Sequence, residues 1–359
     1  MKILAPINNP KEAEDIIRAG ADEIYCGVLP ADWRGKYTNV ASSNRREWKA
    51  ANLESFYGLK KIVDTAHAEK VPVYLALNAL YTEEQYQQVF DQIEQSKNIG
   101  VDALIVADLG LLLNLKNRKT GLDIHISTGG TTFNSETAKF YEELGASRII
   151  LPRHLRIREM EKIVRSCPSL KFEVFILNSG CKNIDGFCTF QHGVNEILHP
   201  RMWNLPKRLN FDRYFLNVVR RMPSKLAVRI KSDVFGIDSA CLLNYKITMD
   251  SDPADLDKEK KQHILRNISS GFTLLSGIDT CGACRLAELK DAGVYGVKIV
   301  GRNYSTSKKI SDIIFLRTVL RHMENNAPGK KEFYKYVKNV FRRTYGLDCK
   351  SLCYYPDGM

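Results

Sequence analysis

Four segments of this chain, RAGADEIYCGV, NIGVDALIVADLG, ELGASRIILPR and DAGVYGVKIVGR, are built alike: a polar amphipathic stretch closes on glycine and an apolar, β-branched run opens. Glycine there reads as a helix C-cap, because it enters the left-handed region without steric cost. The repeated unit is helix, glycine, strand. MKILAPI, VPVYLAL, LDIHIS and FEVFIL have the same strand character and bring the candidate strands to eight, mostly separated by helical patterns such as EEQYQQVFDQIEQSKN and SETAKFYEEL. Near-continuous apolar strands alternating with helices predict a parallel sheet covered on its outer face. Eight repeats predict a closed (β/α)8 TIM-like barrel. The alternative, an open doubly wound sheet, normally carries a glycine-rich phosphate loop, and neither GxGxxG nor GxxxxGK followed by Ser or Thr occurs.

The repeat is broken once, after the seventh strand. Residues 181–280 are too many for a strand-to-helix connection in a compact domain, and they read as an inserted subdomain. The expected organisation is barrel strands one to seven in 1–180, the insertion in 181–280, the last barrel strand and helix in 281–328, and a basic helix with a cysteine-containing tail in 329–359. The insertion leaves the barrel at the carboxyl ends of its strands, the face on which barrel enzymes keep their chemistry.

Cys181 and Cys188 open this insertion, in CKNIDGFC, and Cys281 and Cys284 close it, in GIDTCGACRL. At 359 residues the chain is long enough to bury a core without disulfide staples. A single lysine ahead of an apolar run that stops at Pro6 is too little for a secretory signal, and no apolar stretch approaches the roughly 18 residues of a membrane span. The expected location is cytoplasmic. In that reducing setting the nine cysteines are a source of metal ligands, nucleophiles or small buried apolar side chains rather than disulfides. Cys26 in a strand and Cys167 at a helix end fit plain burial. The cysteines bracketing the insertion have glycine and polar neighbours, and there metal ligation is the stronger reading. Four thiolates close a zinc site or a 4Fe-4S cluster. The six-residue gap of CKNIDGFC is longer than a zinc knuckle, whereas CGAC suits either metal.

Barrel and cysteines together resemble the peptidase U-32 family, also called collagenase-like peptidases, over most of the chain. EVFILNSGC resembles the family strand that runs into the first cluster cysteine, and CKNIDGFC has the family's gap. HISTGGTTFNSETAKFYEELGASRIILPRHLRIREM resembles the block in which a serine-threonine pair precedes an asparagine, a helix and a strand ending in arginine. GIDTCGACRLAELKDAGVYGVKIVGRN resembles the last family block. The resemblance implies a 4Fe-4S cluster held by four cysteines, here Cys181, Cys188, Cys241 and Cys281, with Cys284 as the alternate to Cys241. Cys349 and Cys353 then form a separate pair or join the site from the tail. It also implies hydroxylation, without dioxygen, of RNA pyrimidines or of a small aromatic metabolite, with prephenate as co-substrate and oxygen source.

This chain departs from the family pattern in places. Cys241 lies much farther from Cys188 than the usual third cysteine. His154 stands where a glutamate follows the strand-six arginine, Val300 replaces another acid, and Gly129 replaces a glutamine. At the carboxyl ends of the expected strands, Asn78, Ser127, Thr128, Lys298 and Arg302 are the candidate substrate-binding residues, and Asp108, His154 and Arg153 the candidate catalytic ones. Arginine and lysine there suit a dianion such as prephenate, and Asp108 and His154 are the available acid-base groups. The blander reading makes Lys298 and Arg302 part of an ion-pair network and His154 a surface residue.

Formal charge is +12, and residues 201–231 hold nine Lys or Arg against one acid. Trp203, Phe211, Tyr214 and Phe215 interleave them, a combination suited to single-stranded RNA. The alternative is a solvated amphipathic helix. KKEFYKYVKNVFRRTYG is a second basic helix, and a basic face also suits a paralogous partner subunit. Two rival functions remain beside the hydroxylase. A peptidase lacks HExxH and GxSxG and is left with Cys181 and His192 as a thiol-imidazole pair. The other is a non-catalytic, cluster-bearing partner.

Overall fold

The computed structural model describes residues 1–36, 43–46, 51–178, 184–187, 280–346 and 353–355. Strands β1 (Lys2–Pro6), β2 (Glu23–Cys26), β3 (Val73–Leu77), β4 (Ala103–Val106), β5 (Asp123–Ile126), β6 (Arg148–Ile150), β7 (Lys171–Leu177) and β8 (Gly296–Ile299) pair in parallel in chain order. β8 returns to β1 through the register Ile3 opposite Val297, so the barrel closes. All eight strands fall on the expected segments. Helices α1 (Ala13–Arg18), α2 (Ala31–Lys36), α3 (Phe56–Ala68), α4 (Glu83–Ile99), α5 (Leu109–Arg118), α6 (Ser135–Glu143), α7 (Ile157–Ser166), α8 (Leu286–Asp291), α9 (Thr306–Asn326) and α10 (Lys330–Tyr345) occupy the connections and the carboxyl-terminal part. The inserted subdomain expected in 181–280 lies outside the described residues except for 184–187 and 280.

Local chemistry sets the element boundaries. α4 starts at a capping box in which Thr82 and Gln85 satisfy each other's backbone donors, and it ends on Gly100 at φ 94°. Gly293 ends α8 at φ 83°, and a Cβ there would lie 2.8 Å from Val164 Cγ1, so both backbone and packing require glycine. The strands are buried almost throughout, and the apolar side chains of α3, α5 and α9 cover them. Each fully buried Leu, Ile or Val contributes about 1.5–3 kcal/mol. α10, the second basic segment, keeps an apolar face: Phe341 meets Phe315 of α9 edge-on at 5.7 Å, and Phe333 and Val337 are buried.

The barrel interior departs from the apolar filling that the strand runs suggest. Arg148 at the start of β6 grips Glu23 of β2 with a fork of 2.6 and 2.8 Å and reaches Glu173 of β7 at 3.0 Å. Lys298 Nζ stands 3.4 Å from Glu173 and 4.0 Å from the centre of the Tyr25 ring. Two cations thus face two carboxylates, all four side chains buried. Lys298, expected among the substrate-binding residues at a strand end, lies within β8 and opposite Phe175. Its register turns it into this interior network.

His125 of β5 sits in the same interior, edge-on to Tyr74 at 4.6 Å. Burial first, and then Arg148, Lys298 and Lys171, hold its imidazole well below the ordinary value, so it is neutral in the folded protein. The unfolded chain takes up a proton at this histidine below about pH 6.5 and the folded one does not. The stability this neutral histidine permits is therefore complete above that pH and should fall by about 1.4 kcal/mol for each unit below it. Urea unfolding between pH 5 and 7.5 checks this. His125→Phe should lack that part of the slope, and equal slopes in both proteins would contradict it.

Candidate functional site

The loops that follow the strands at their carboxyl ends carry a cationic mouth. Arg302, just after β8, is buried. Its guanidinium donates to Asn52 Oδ1 at 3.3 Å and to the Oδ1 and backbone oxygen of Asn44 at 3.0 and 3.5 Å, all neutral acceptors. Burial, with Arg46 acting in the same direction, brings its pKa down to about 10, so it stays charged at neutral pH. Gly27, one residue past β2, makes this seat. A Cβ there would overlap the Arg302 guanidinium and lie 2.6 Å from both the Asn44 and Asn52 amides. Arg45 joins the mouth from the same 43–46 segment, where its NH1 lies 3.3 Å from the Cβ position of Gly129.

Asn78, after β3, donates to Ser127 Oγ at 3.1 Å, and that oxygen also receives the Gly129 N–H at 3.3 Å. Thr128 opens the short 3-10 turn between them and is half-buried. A Cβ on Gly129 would lie 2.9 Å from Ala107 Cβ. The structure therefore brings Asn78, Ser127 and Thr128 together on one side of the mouth.

Asp108 and Arg153 are held differently from a free acid or an open binding arm. Asp108 caps α5 through Leu111 N at 2.7 Å, accepts from Tyr86 Oη at 2.8 Å and from Tyr81 N at 3.1 Å. Its oxygens are occupied by structural donors. Arg153, after β6, stacks on the Phe175 ring at 4.0 Å. Its backbone N–H donates to Asp185 at 2.8 Å and its guanidinium pairs with the same carboxylate. Asp185 lies between Cys181 and Cys188 in the sequence. Gly186 beside it, at φ 91°, packs so closely on Thr131 that no side chain fits. Residues 184–187 are thereby docked on the loops after β5 and β6. His154 is exposed and lines, with Arg153, Arg156, Arg285, Cys353, Tyr354 and Tyr355, a cleft of about 320 Å³.

Among the expected metal ligands, Cys181, Cys188 and Cys241 lie outside the described residues, as does Cys349. Cys281 is buried and backbone-paired with Leu177 at the end of β7. Its Sγ accepts the Ala283 N–H at 3.5 Å. Cys284 is half-buried against the hydrophobic core. Cys353 of the tail forms a backbone bridge to Cys281, and its own Sγ accepts the Tyr355 N–H at 3.4 Å. Backbone donors aimed at sulfur favour thiolate, the form that binds metal, so these two residues fit a thiophilic centre. Cys26 is buried in β2, where burial pushes its thiol up to about 12, and Cys167 is buried at the end of α7, so both match the expectation of inert apolar thiols. Among the described residues no three or more His, Cys, Asp or Glu side chains are gathered into a metal-holding group. No helix among them is long and apolar enough to cross a membrane.

Cys281 and Arg302 both lie just past the carboxyl ends of barrel strands, the face on which barrel folds carry their sites, and comparison with known proteins identifies the family. Residues 8–198 and 238–352 match the model of peptidase family U32, and the chain belongs to that family. It is similar to tRNA hydroxylation protein P of Haemophilus influenzae, 26% identical over 195 residues that cover 54% of this chain and 39% of that protein. It is also similar to tRNA hydroxylation protein P2 of Bacillus subtilis, 24% identical over 274 residues, 76% of this chain and 75% of that one. A third relative is the 23S rRNA 5-hydroxycytidine C2501 synthase of Escherichia coli, 25% identical over 193 residues, 54% of this chain and 26% of that protein. The chain therefore spans well under half the length of the first and third of these relatives.

The neutral seat of Arg302 and the loop anchor Asp185 were not singled out by sequence reasoning as parts of the site. Asn44, Asn52 and Asp185 carry no motif. Cys353 was named with Cys349 as a separate pair or as joining the site from the tail, and its backbone bridge to Cys281 is what the sequence did not carry.

Proposed function

We propose that this chain is an iron–sulfur enzyme that hydroxylates bases of RNA without dioxygen. The observation that carries the reading is that one end of the barrel holds both a backbone-hydrogen-bonded thiol, Cys281, and a buried cation, Arg302, hydrogen-bonded to asparagine oxygens. The names of three relatives, all hydroxylation proteins or a hydroxycytidine synthase acting on RNA, point the same way. Cys281 would hold the cluster with cysteines of the 181–188 segment. When bound, such a cluster supplies electron transfer or Lewis-acid chemistry at that place.

The chain's own residues do the rest. Arg302 carries a full charge against amide oxygens, so a carboxylate of a dianionic co-substrate such as prephenate gains a charge-assisted, forked partner there. Asn78, Ser127 and Thr128 supply neutral donors and acceptors on the adjoining rim. Arg153 and Asp185 act as positioning residues that fix the segment between Cys181 and Cys188. His154, exposed on the cleft, is the candidate acid-base group there. RNA would be held by the basic residues 201–231, with a paralogous subunit as a further partner.

Arg302→Lys keeps the charge but loses the fork, and it should weaken binding of prephenate by roughly 10- to 100-fold, the worth of about 1.5–3 kcal/mol for a charged hydrogen bond. Gly27→Ala should do the same by expelling the guanidinium. Calorimetric titration reads both, and unchanged affinity in both would remove Arg302 from the site. The function itself is tested by mass spectrometry of nucleosides from cells that lack the gene. A pyrimidine nucleoside with one added oxygen should be missing and should return with the wild-type gene. An unchanged nucleoside profile would contradict the reading.

A further inference from the structure

We propose that Cys353 is a thiolate ligand of the iron–sulfur cluster, paired with Cys281 and delivered by the carboxyl-terminal tail. The inference rests on the cluster reading above and adds to it a ligand from outside the 181–281 stretch. Three observations carry it.

The first is the pairing. Cys281 and Cys353 form a parallel backbone bridge, and Tyr354 N donates to Cys281 O at 3.2 Å. The second is the repeated geometry at sulfur. In each case the N–H two residues on donates to the thiol, Ala283 to Cys281 at 3.5 Å and Tyr355 to Cys353 at 3.4 Å. A cysteine serving only as a small apolar side chain gains little from such a donor, whereas a metal-bound thiolate is stabilised by it.

The third is how firmly the tail is seated. Tyr354 and Tyr355 are both buried. Tyr355 Oη donates to Phe175 O at 2.6 Å, and Tyr354 Oη donates to Asn178 O. Asn178 itself sits at φ 68° after β7 and ties Val300 O, at 3.1 Å, and Asp312 of α9, at 2.8 Å, to this corner. Gly282 makes room for the tail, because a Cβ there would lie 2.9 Å from the Tyr355 ring. Two buried aromatic anchors therefore follow one half-exposed cysteine directly and hold it beside Cys281. Arg153 and Arg285, each paired with a carboxylate, line the same cleft as Cys353.

Ligation exchanges the thiol proton, released to solvent, for a bond from sulfur to metal and needs no oxidant. Cys353 is the described cysteine bridged through its backbone to Cys281, and the experiment weighs it against Cys241 and Cys284.

The full chain, purified without oxygen, is assayed for iron, acid-labile sulfide and electron paramagnetic resonance in the wild type and in Cys353→Ala, Cys353→Ser, Cys241→Ser and Cys284→Ser. The wild type should hold about four iron and four sulfide. Cys353→Ala should lose at least one iron per chain or give a three-iron signal, and Cys353→Ser should shift the optical and resonance spectra, while Cys241→Ser and Cys284→Ser keep the wild-type content. Far-ultraviolet circular dichroism on each variant separates lost ligation from lost folding. A wild-type cluster left unaltered by both Cys353 substitutions overturns this inference alone. A wild type without iron overturns the cluster reading, and this inference falls with it.

Discussion

Replacing Arg148 with methionine should destabilise the folded chain by about 3–5 kcal/mol, the cost of leaving buried carboxylates without their partner. Arg148 is the centre of the barrel's interior network, forked on Glu23 and bound to Glu173, with the Tyr74 and Tyr295 rings 5.1 and 4.8 Å from its guanidinium carbon. Methionine fills much of the volume, so the loss is electrostatic rather than a cavity. Lys298 remains beside Glu173, which leaves Glu23 as the stranded charge. The triple variant Arg148→Met, Glu23→Gln, Glu173→Gln removes both carboxylates with the arginine and should recover part of the loss. Urea unfolding midpoints measure all of these. A loss below about 1 kcal/mol in the single variant would show that the network is hydrated or that its carboxylates take up protons freely.

Asp108→Ala should cost about 3–5 kcal/mol, from one helix cap and two further hydrogen bonds to a charged acceptor. The effect should spread to the mouth. Asp108 fixes Tyr81, whose hydroxyl donates to Ser43 O at 2.5 Å, and the next residue, Asn44, seats Arg302. Asp108→Asn keeps one acceptor oxygen and should lose roughly half as much. If Asp108 is the cap its contacts describe, the remaining turnover per folded molecule in Asp108→Asn stays within a few-fold of wild type. A drop of a hundredfold or more with normal stability would instead make this residue a proton carrier.

The barrel was legible because its signals are local. Glycine after each helix and apolar runs of strand length fix element type and order, and every expected strand is found. The interior network was harder to see because its members are single charged residues inside apolar words: glutamate in DEIYC and FEVF, arginine in ASRII. The alternation that turns them inward is visible only once register is known. Lys298 shows the same difficulty, since its place near a strand end suggested the mouth and its register put it inside. Arg302 lies just after β8, at the strand end where the sequence placed it. Its neutral seat of Asn44 and Asn52 was hidden, because those residues come from a connection far away in sequence. Arg153 was likewise placed at the correct end, but its partner Asp185 makes it an anchor for the cysteine segment.

Bound iron and sulfide are the most direct mark of the proposed cluster. Iron, zinc and acid-labile sulfide should be counted on the wild-type chain purified without oxygen, with the optical and Mössbauer spectra of the same sample. About four iron and four sulfide per chain, with a broad charge-transfer band that bleaches on exposure to air, is the predicted result. Zinc in place of iron, or no metal bound, would contradict it.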